Sequence, residues 1–191
     1  MNGIELMVLE HTYIKRMLNV MRSASYGVLK GEPIVRKDFD QMIDFVRNYA
    51  DNHHHGKEER MLFNRMMEEL GPVAEKLVRH GMLVEHDLGR LFIRQLEEAL
   101  DRVEAGEDEA RLDVIGNAIG YTDLLTRHID KEDNVVYPFS QNNLSAGTRQ
   151  IIDTECEAFE QETEQSGVQN KYINLLEELE ARYRTGVNRH D

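Results

Sequence analysis

Apolar residues recur at three- and four-residue spacing through most of the chain, as expected for helices with one buried face. In the first such segment the residues on this face are Ile4, Met7, Val8, His11, Ile14, Leu18 and Met21. No segment shows the period-two alternation of β-branched residues that is typical of strands. The pattern therefore predicts an all-α protein.

Glycine and proline residues divide this pattern into four long segments. The predicted helices cover about residues 4–29, 36–70, 73–105 and 109–136, with breaks at Gly31-Glu32-Pro33, Gly71-Pro72, Gly106 and Pro138. Four long helices with short connections are expected to pack antiparallel, up-down-up-down, as a four-helix bundle. We expect this bundle to occupy residues 1–140.

Two further helical patterns follow the bundle. They cover about residues 151–163 and 172–183, are acidic, and are separated by Ser166-Gly167. We expect residues 141–191 to form an acidic C-terminal helical extension. This extension either packs across the bundle or joins two chains in a homodimer.

The sequence contains an internal duplication. Residues 54–63 align with residues 128–137, and both read His, two variable residues, Lys, Glu, an acid, two variable residues, an aliphatic residue and an aromatic one. A Glu-His pair lies upstream of each copy, at Glu10-His11 and Glu85-His86, and the offsets between the halves agree to within one residue. Each half therefore predicts a helical hairpin with one histidine on its first helix and His-x-x-x-Glu on its second.

The duplicated spacing favours a metal site. Residues four apart are neighbours on one helix face, so the histidine and glutamate of each copy can reach one centre. A single such pair is usually a surface interaction, but two copies in register would bring four imidazoles and two carboxylates together in the core, where they are costly unless they bind metal. This donor set without thiolate favours iron or manganese and also accommodates zinc. The predicted ligands are His11, His54, Glu58, His86, His128 and Glu132.

Three consecutive histidines, His53 to His55, leave a choice of register. Successive α-helical residues point about 100° apart, so His54 and His55 cannot both be ligands of a regular helix. The repeat favours His54, because a lysine precedes Glu58 just as it precedes Glu132. We expect four neighbouring polar residues to be solvated or to lie outside the ligand shell: His53, His55, Glu59 and Asp133. We also expect the two remote histidines, His80 and His190, not to be ligands.

Composition limits the other functional classes. The formal net charge of −13 repels nucleic-acid phosphates and anionic lipid headgroups, so neither is an expected partner. The single cysteine, Cys156, excludes an intramolecular disulfide and a cysteine-ligated metal cluster. The sequence shows no secretory signal and no apolar run of about 20 residues. We therefore expect a soluble cytoplasmic protein that does not enter a membrane.

The four motifs together resemble the hemerythrin and HHE cation-binding family. They are Glu10-His11, residues 54–63, Glu85-His86-Asp87 with Gly89-Arg90, and residues 128–138, and they occur in family order across about residues 4–139. The resemblance implies an antiparallel four-helix bundle around two iron ions joined by an oxo or hydroxo bridge. It also implies that His11, His54, His86 and His128 are terminal ligands and that Glu58 and Glu132 bridge the irons.

One position departs from the oxygen-carrying members of that family. Met82 stands where those proteins have a fifth histidine, four residues before His86. Two histidines, two bridging carboxylates and one bridging oxygen would give each iron five ligands, so both irons would keep an open or water-filled position. Tyr121, on the same face as His128, either approaches the site or is an ordinary core residue.

The resemblance, together with the two open positions that it implies, favours binding or reduction of a small oxidant, namely dioxygen, peroxide or nitric oxide, for sensing or scavenging. It leaves open whether this amounts to enzymatic turnover. An alternative is storage of iron or its donation to damaged iron centres, although members linked to repair tend to carry a cysteine-bearing N-terminal module that this sequence lacks. A third hypothesis is a metal-stabilised interaction module whose acidic C-terminal helices recruit a partner.

Overall fold

The computed structural model describes residues 1–165 and 167–183, and these residues form six helices and no strand. The prediction of an all-α bundle is confirmed. The helices are α1 (Gly3–Leu29), α2 (residues 36–70), α3 (residues 72–104), α4 (residues 111–143), α5 (Ala146–Gln165) and α6 (Val168–Tyr183). Among these residues, no helix is both long and apolar enough to span a lipid bilayer.

Local sequence signals account for most helix ends. At the start of α1, the Asn2 side chain accepts a hydrogen bond from the Glu5 backbone N–H, and the Glu5 carboxylate accepts one from the Asn2 N–H. This reciprocal capping satisfies two donors that the first helical turn cannot use. Gly71 and Gly106 have φ angles of 68° and 95°, which a residue with a Cβ rarely adopts, and they end α2 and the turn after α3.

The predicted end of the fourth helix is wrong. We expected α4 to stop before Pro138, but the helix continues to Asn143. A π-helical turn, Glu132–Val136, ends two residues before the proline. A proline ring normally clashes with the carbonyl one turn earlier, and it removes one hydrogen bond. Because the regular hydrogen-bond ladder is already interrupted in the π-helical turn, α4 accommodates the proline there.

Wide π-helical turns also occur in the middle of two other bundle helices. They cover Val46–His55 and Glu58–Phe63 in α2, and Val78–Met82 in α3. Such turns are rare and are frequent at functional sites. In this chain they lie beside the residues that the sequence singled out as ligands.

The bundle core consists of two apolar clusters with a layer of buried polar residues between them. The first, the Phe39 cluster, includes Ile14, Met17, Phe39, Tyr49, Ile93, Leu96, Val114 and Leu125. The second, the Phe63 cluster, includes Ile4, Met7, Leu62, Phe63, Val78, Met82, Val136 and Tyr137. Along each long helix, buried histidines and glutamates separate the residues of one cluster from those of the other. The fold therefore places the polar layer halfway along the bundle.

The two C-terminal helices pack on the bundle of their own chain. Ile152 and Cys156 of α5 join the Phe63 cluster, while Tyr172 and Leu176 of α6 join the Phe39 cluster. Cys156 is buried there as a small apolar residue, with its Sγ 3.7 Å from the Met61 sulfur. The apolar sides of α5 and α6 are thus covered without a second chain.

Candidate metal centre

Four imidazole rings meet in the polar layer, one from each long helix. His11 Nε2 lies 2.9 Å from His54 Nε2, and His86 Nε2 lies 3.0 Å from His128 Nε2. All four side chains are buried. Each pair comes from one half of the duplicated sequence, so the two predicted hairpins each supply two nitrogen atoms.

Two buried carboxylates lie between the histidine pairs. Glu58 Oε2 is 3.8 Å from His54 Nε2 in its own half and 3.5 Å from His86 Nε2 in the other half. Glu132 repeats this arrangement, with its oxygens 2.9 Å from His128 Nε2 and 3.3 Å from His11 Nε2. Each carboxylate therefore faces nitrogen atoms of both halves, as a bridging ligand would. The structure brings all six predicted ligand residues together.

Most carboxylate oxygens at this centre have no hydrogen-bond donor. Glu58 Oε2 and both oxygens of Glu132 are buried and accept no hydrogen bond of acceptable geometry. Burial and the neighbouring charge of Glu132 raise the pKa of Glu58 well above its ordinary value. Buried carboxylates that lack donors are costly unless a cation compensates them. Together with the imidazole nitrogens, these oxygens form a donor set that fits iron or manganese.

Each of the four histidines also contacts a carboxylate through its outward-facing nitrogen. The Nδ1 atoms of His11, His54, His86 and His128 lie 2.7, 2.8, 2.7 and 2.9 Å from Asp133, Glu10, Glu59 and Glu85. A carboxylate at Nδ1 favours the proton on that atom and leaves the lone pair on Nε2. Two lone pairs about 3 Å apart repel one another unless a proton or a metal ion lies between them.

These outer carboxylates follow the duplication. Glu10 and Glu85 each precede a predicted ligand in the sequence and contact the second histidine of their own half. Glu59 and Asp133 each follow a predicted ligand and contact a histidine of the opposite half. Hydrogen bonds from His86 and His128 lower the pKa of Glu59 and Glu85. The sequence contained this signal, because an acid occupies the same place in both copies.

A fifth imidazole, that of His55, belongs to the same layer. We expected His55 to be solvated or to lie outside the ligand shell, but it is buried, and its ring stacks on that of His86 with 3.8 Å between centroids. One nitrogen of His55 lies within 4.8 Å of donor atoms of Glu58, His86 and His128. The expectation assumed regular α-helical geometry. In the π-helical segment each residue advances by a smaller angle, so His54 and His55 both face the interior.

Tyr137 contacts two of the predicted ligands, and the sequence interpretation did not single it out. Its hydroxyl donates a 2.5 Å hydrogen bond to Glu58 Oε1, and its ring lies parallel to that of His11 at 5.5 Å. Tyr137 is the aromatic residue that closes the second repeat, and its counterpart Phe63 has no hydroxyl. A comparison of the two repeats would have singled out this polar difference.

Tyr121 is a core residue of the Phe39 cluster, which was one of the two alternatives for it. It is buried and lines a cavity of about 130 Å³ whose wall also includes His55 and His86. Val46, Gly89 and Ile93 provide much of the remaining, mainly apolar lining. At the edge of this cavity Arg90 pairs with Asp51 and Glu59.

The other histidines lie apart from the ligand layer. His53 is buried beside Glu10, Glu160 and Lys57. His80 is exposed on α3. His190 and Ser166 lie outside the described residues.

The sequence profile of the hemerythrin HHE cation-binding domain matches residues 2–140. The chain belongs to this family. The match covers α1, α2, α3 and all but the last three residues of α4, includes every residue of the candidate metal centre, and ends before α5.

The chain is also similar to curated proteins that are themselves described as uncharacterised. The uncharacterised proteins Rv1995 of Mycobacterium tuberculosis and Mb2018 of Mycobacterium bovis are each 21% identical to this chain over 137 residues. The aligned region covers 72% of this chain, which spans about half (52%) of the length of either relative.

Met82 and His55 together define how this hemerythrin-family chain differs from the oxygen-carrying pattern. Met82 is buried in the Phe63 cluster, one turn before His86. His55, on α2, lies against the pair formed by His86 and His128: its ring stacks on that of His86, and one of its nitrogens lies within 4.8 Å of a nitrogen of each. The two halves of the centre therefore offer unequal numbers of nitrogen donors.

Proposed function

We propose that this chain is a non-haem di-iron protein that binds or reduces a small oxidant, namely dioxygen, peroxide or nitric oxide, for sensing or scavenging. The observation that carries the proposal is the buried layer in which four histidine nitrogens face three carboxylate oxygens that lack hydrogen-bond donors. When bound there, a pair of irons would supply the electrons that such an oxidant accepts.

The geometry supports a specific division of ligands between the two irons. His11 and His54 would hold one iron, while His55, His86 and His128 would hold the other. Glu58 and Glu132 would bridge them, because each faces nitrogen atoms of both halves. Under this assignment the second half would hold its iron with three imidazoles and the first half with two, where the sequence led us to expect two in each half.

The protein side chains around this centre would exclude water and hold the ligands in place. The six predicted ligands are at most 1% exposed, so solvent cannot reach the centre freely. Tyr137 keeps a proton on its hydroxyl oxygen, directed at Glu58 Oε1 and 3.5 Å from His11 Nε2. The same burial argues against iron donation, which requires access for the acceptor.

The order of the two apolar clusters along the helices also supports an up-down-up-down course of the four long helices. Along α1 and α3 the residues of the Phe63 cluster come first and those of the Phe39 cluster follow, while α2 and α4 have the reverse order. An antiparallel bundle would produce this alternation. It would also place the two histidine pairs at equal depth.

Two measurements test the proposal. Protein purified from iron-replete cells should contain about two irons per chain, and stopped-flow mixing of the reduced protein with dioxygen, peroxide or nitric oxide should give a rapid optical change with at least one of them. His54→Ala should lose iron, whereas the control His80→Ala should retain it. One zinc and no iron in the native protein, or a reduced iron form inert to all three oxidants, would contradict the proposal.

A further inference from the structure

Lys57 is a buried lysine between the bundle and the C-terminal helices. Its side chain is 0% exposed and donates hydrogen bonds to Glu10 and Glu160. Its Nζ also lies 3.1 Å from His53 Nε2 and 5.5 Å from the centre of the Phe159 ring. A lysine is rarely buried this completely unless it is paired, so these contacts determine where the side chain lies.

The contacts on one side of Lys57 come from outside the region that the family profile matches. Glu160 and Phe159 belong to α5, which begins after residue 140. Gln169 of α6 donates a hydrogen bond to the second oxygen of Glu160. Both helices of the C-terminal hairpin (residues 146–183) therefore help to hold the carboxylate that faces Lys57.

The contacts on the other side of Lys57 lead to the metal centre. Glu10 accepts from Lys57 with Oε1 and from His54 Nδ1, 2.8 Å away, with Oε2. One carboxylate thus connects the buried ammonium to a predicted ligand. The result is a continuous path of hydrogen bonds from Glu160 through Lys57 and Glu10 to His54. Because an imidazole with a fixed Nδ1 partner keeps its ring orientation and tautomer, the position of Glu10 affects how His54 presents Nε2.

The second half of the duplication shows what this path adds. Lys131 donates to Glu85, which accepts from His128 Nδ1, so the inner part of the path is repeated. However, Lys131 is 46% exposed and Glu85 is 19% exposed, against 0% for Lys57 and 3% for Glu10. Water can therefore replace contacts in the second half that only protein groups provide in the first.

The cluster of Glu10, His53 and Glu160 could also be considered as a third cation site, because its donor atoms lie within 4.8 Å of one another. The Lys57 ammonium already contacts all three residues. The positive charge that this cluster needs is thus part of the chain, and no metal has to be added.

We propose that Glu160 is a positioning residue for His54 and that the C-terminal hairpin is thereby a working part of the metal centre. The inference rests on the proposed metal-binding function. Its consequence is that the two metals differ in their outer surroundings. The hairpin would support the metal held by His11 and His54, which is the half with two imidazoles.

The test compares Glu160→Gln with the matched variant Glu155→Gln in the full-length protein. Glu155 also joins α5 to α2, through Arg65, but its partner has no contact with Glu10 or His54. Both changes remove one charge at nearly constant volume, so both proteins should fold. Anaerobic titration of metal-free protein with Fe²⁺ should show one of the two binding steps weakened about tenfold in Glu160→Gln. Neither step should change in Glu155→Gln.

Two further readouts separate positioning from simple structural support. The Mössbauer spectrum of the loaded protein should show one of two iron environments altered in Glu160→Gln and neither altered in Glu155→Gln. Coupling is reciprocal, so loading wild-type protein with metal should slow amide exchange in residues 156–163, and Glu160→Gln should abolish that effect. Equal titrations and spectra for both variants and the wild type would overturn this inference alone. A wild-type protein that binds no metal would overturn the proposed function as well.

Discussion

The hydroxyl of Tyr137 donates a 2.5 Å hydrogen bond to Glu58 Oε1, joining α4 to α2 at the centre of the bundle. This bond determines which oxygen of Glu58 remains free. Oε1 is satisfied by the tyrosine, so Oε2 is the atom that faces His54 and His86. Tyr137 therefore orients a carboxylate that we propose to bridge two metals.

Replacing Tyr137 by Phe should weaken metal binding without unfolding the protein. The ring would still pack parallel to His11, but Glu58 would lose the donor that fixes its rotation. Loss of such an outer contact typically reduces metal affinity by ~10–100-fold. Competition with a chelator of known affinity measures the change. Tyr49→Phe is the control, because it also removes the hydroxyl of a buried tyrosine, but from a ring that stacks on His53. Equal affinities for the two variants would contradict the role assigned to the Tyr137 hydroxyl.

His55 is expected to act as the third nitrogen donor of one metal. His55→Ala should leave one of the two metals firmly bound and should weaken the other by at least ~10-fold, whereas the exposed His80 should be replaceable without effect. The measurement is metal content after dialysis against a graded series of chelator concentrations. Retention of both metals in His55→Ala would place His55 outside the ligand shell, as the sequence first suggested.

Met82 supplies a rescue experiment for the same assignment. As a single substitution, Met82→His should destabilise the fold by about 1–3 kcal/mol, because it buries a polar ring in the Phe63 cluster. It should add little to the metal affinity of the site. In a His55→Ala background the new imidazole lies one turn before His86 and should recover part of the lost metal affinity. Failure of the double variant to improve on His55→Ala would mean that position 82 cannot reach the site.

Removal of the metals should make stability fall with rising pH. Burial opposes a charge on His128, but the charge of Glu132, 2.9 Å away, and the hydrogen bond to Glu85 outweigh burial and raise the pKa of His128 from 6.5 to about 9. A raised folded-state pKa stabilises the fold below the unfolded value, and this contribution is lost as the pH passes through the folded value. The thermal midpoint of metal-free protein should therefore fall on the order of 5 °C between pH 7 and pH 9. Metal-loaded protein, in which the metal replaces the proton, should lack this slope. Parallel slopes in both forms would contradict the assignment.

The helix ends and the six predicted ligand residues could be predicted from the sequence, each from a different feature. Gly71 and Gly106 are needed for backbone angles that end helices, and the duplicated His-x-x-x-Glu spacing requires its residues to share a face. The inward position of His55 could not be predicted, because periodicity analysis assumes a regular turn. Pro138 was misinterpreted for the same reason. The contact of Glu160 with Lys57 joins positions 103 residues apart, and no local pattern encodes it.

The π-helical turns have a consequence for how such a site can change during evolution. A π-helical turn closes its hydrogen bond over five residues where an α-helical turn closes it over four, so it holds one additional residue. A one-residue insertion or deletion near His54 can therefore be absorbed as a wide or a regular turn, while Tyr49 on one side and Leu62 on the other keep their places in the two apolar clusters. Such a helix can acquire or lose a facing histidine by a change in length rather than by substitution at the ligand itself.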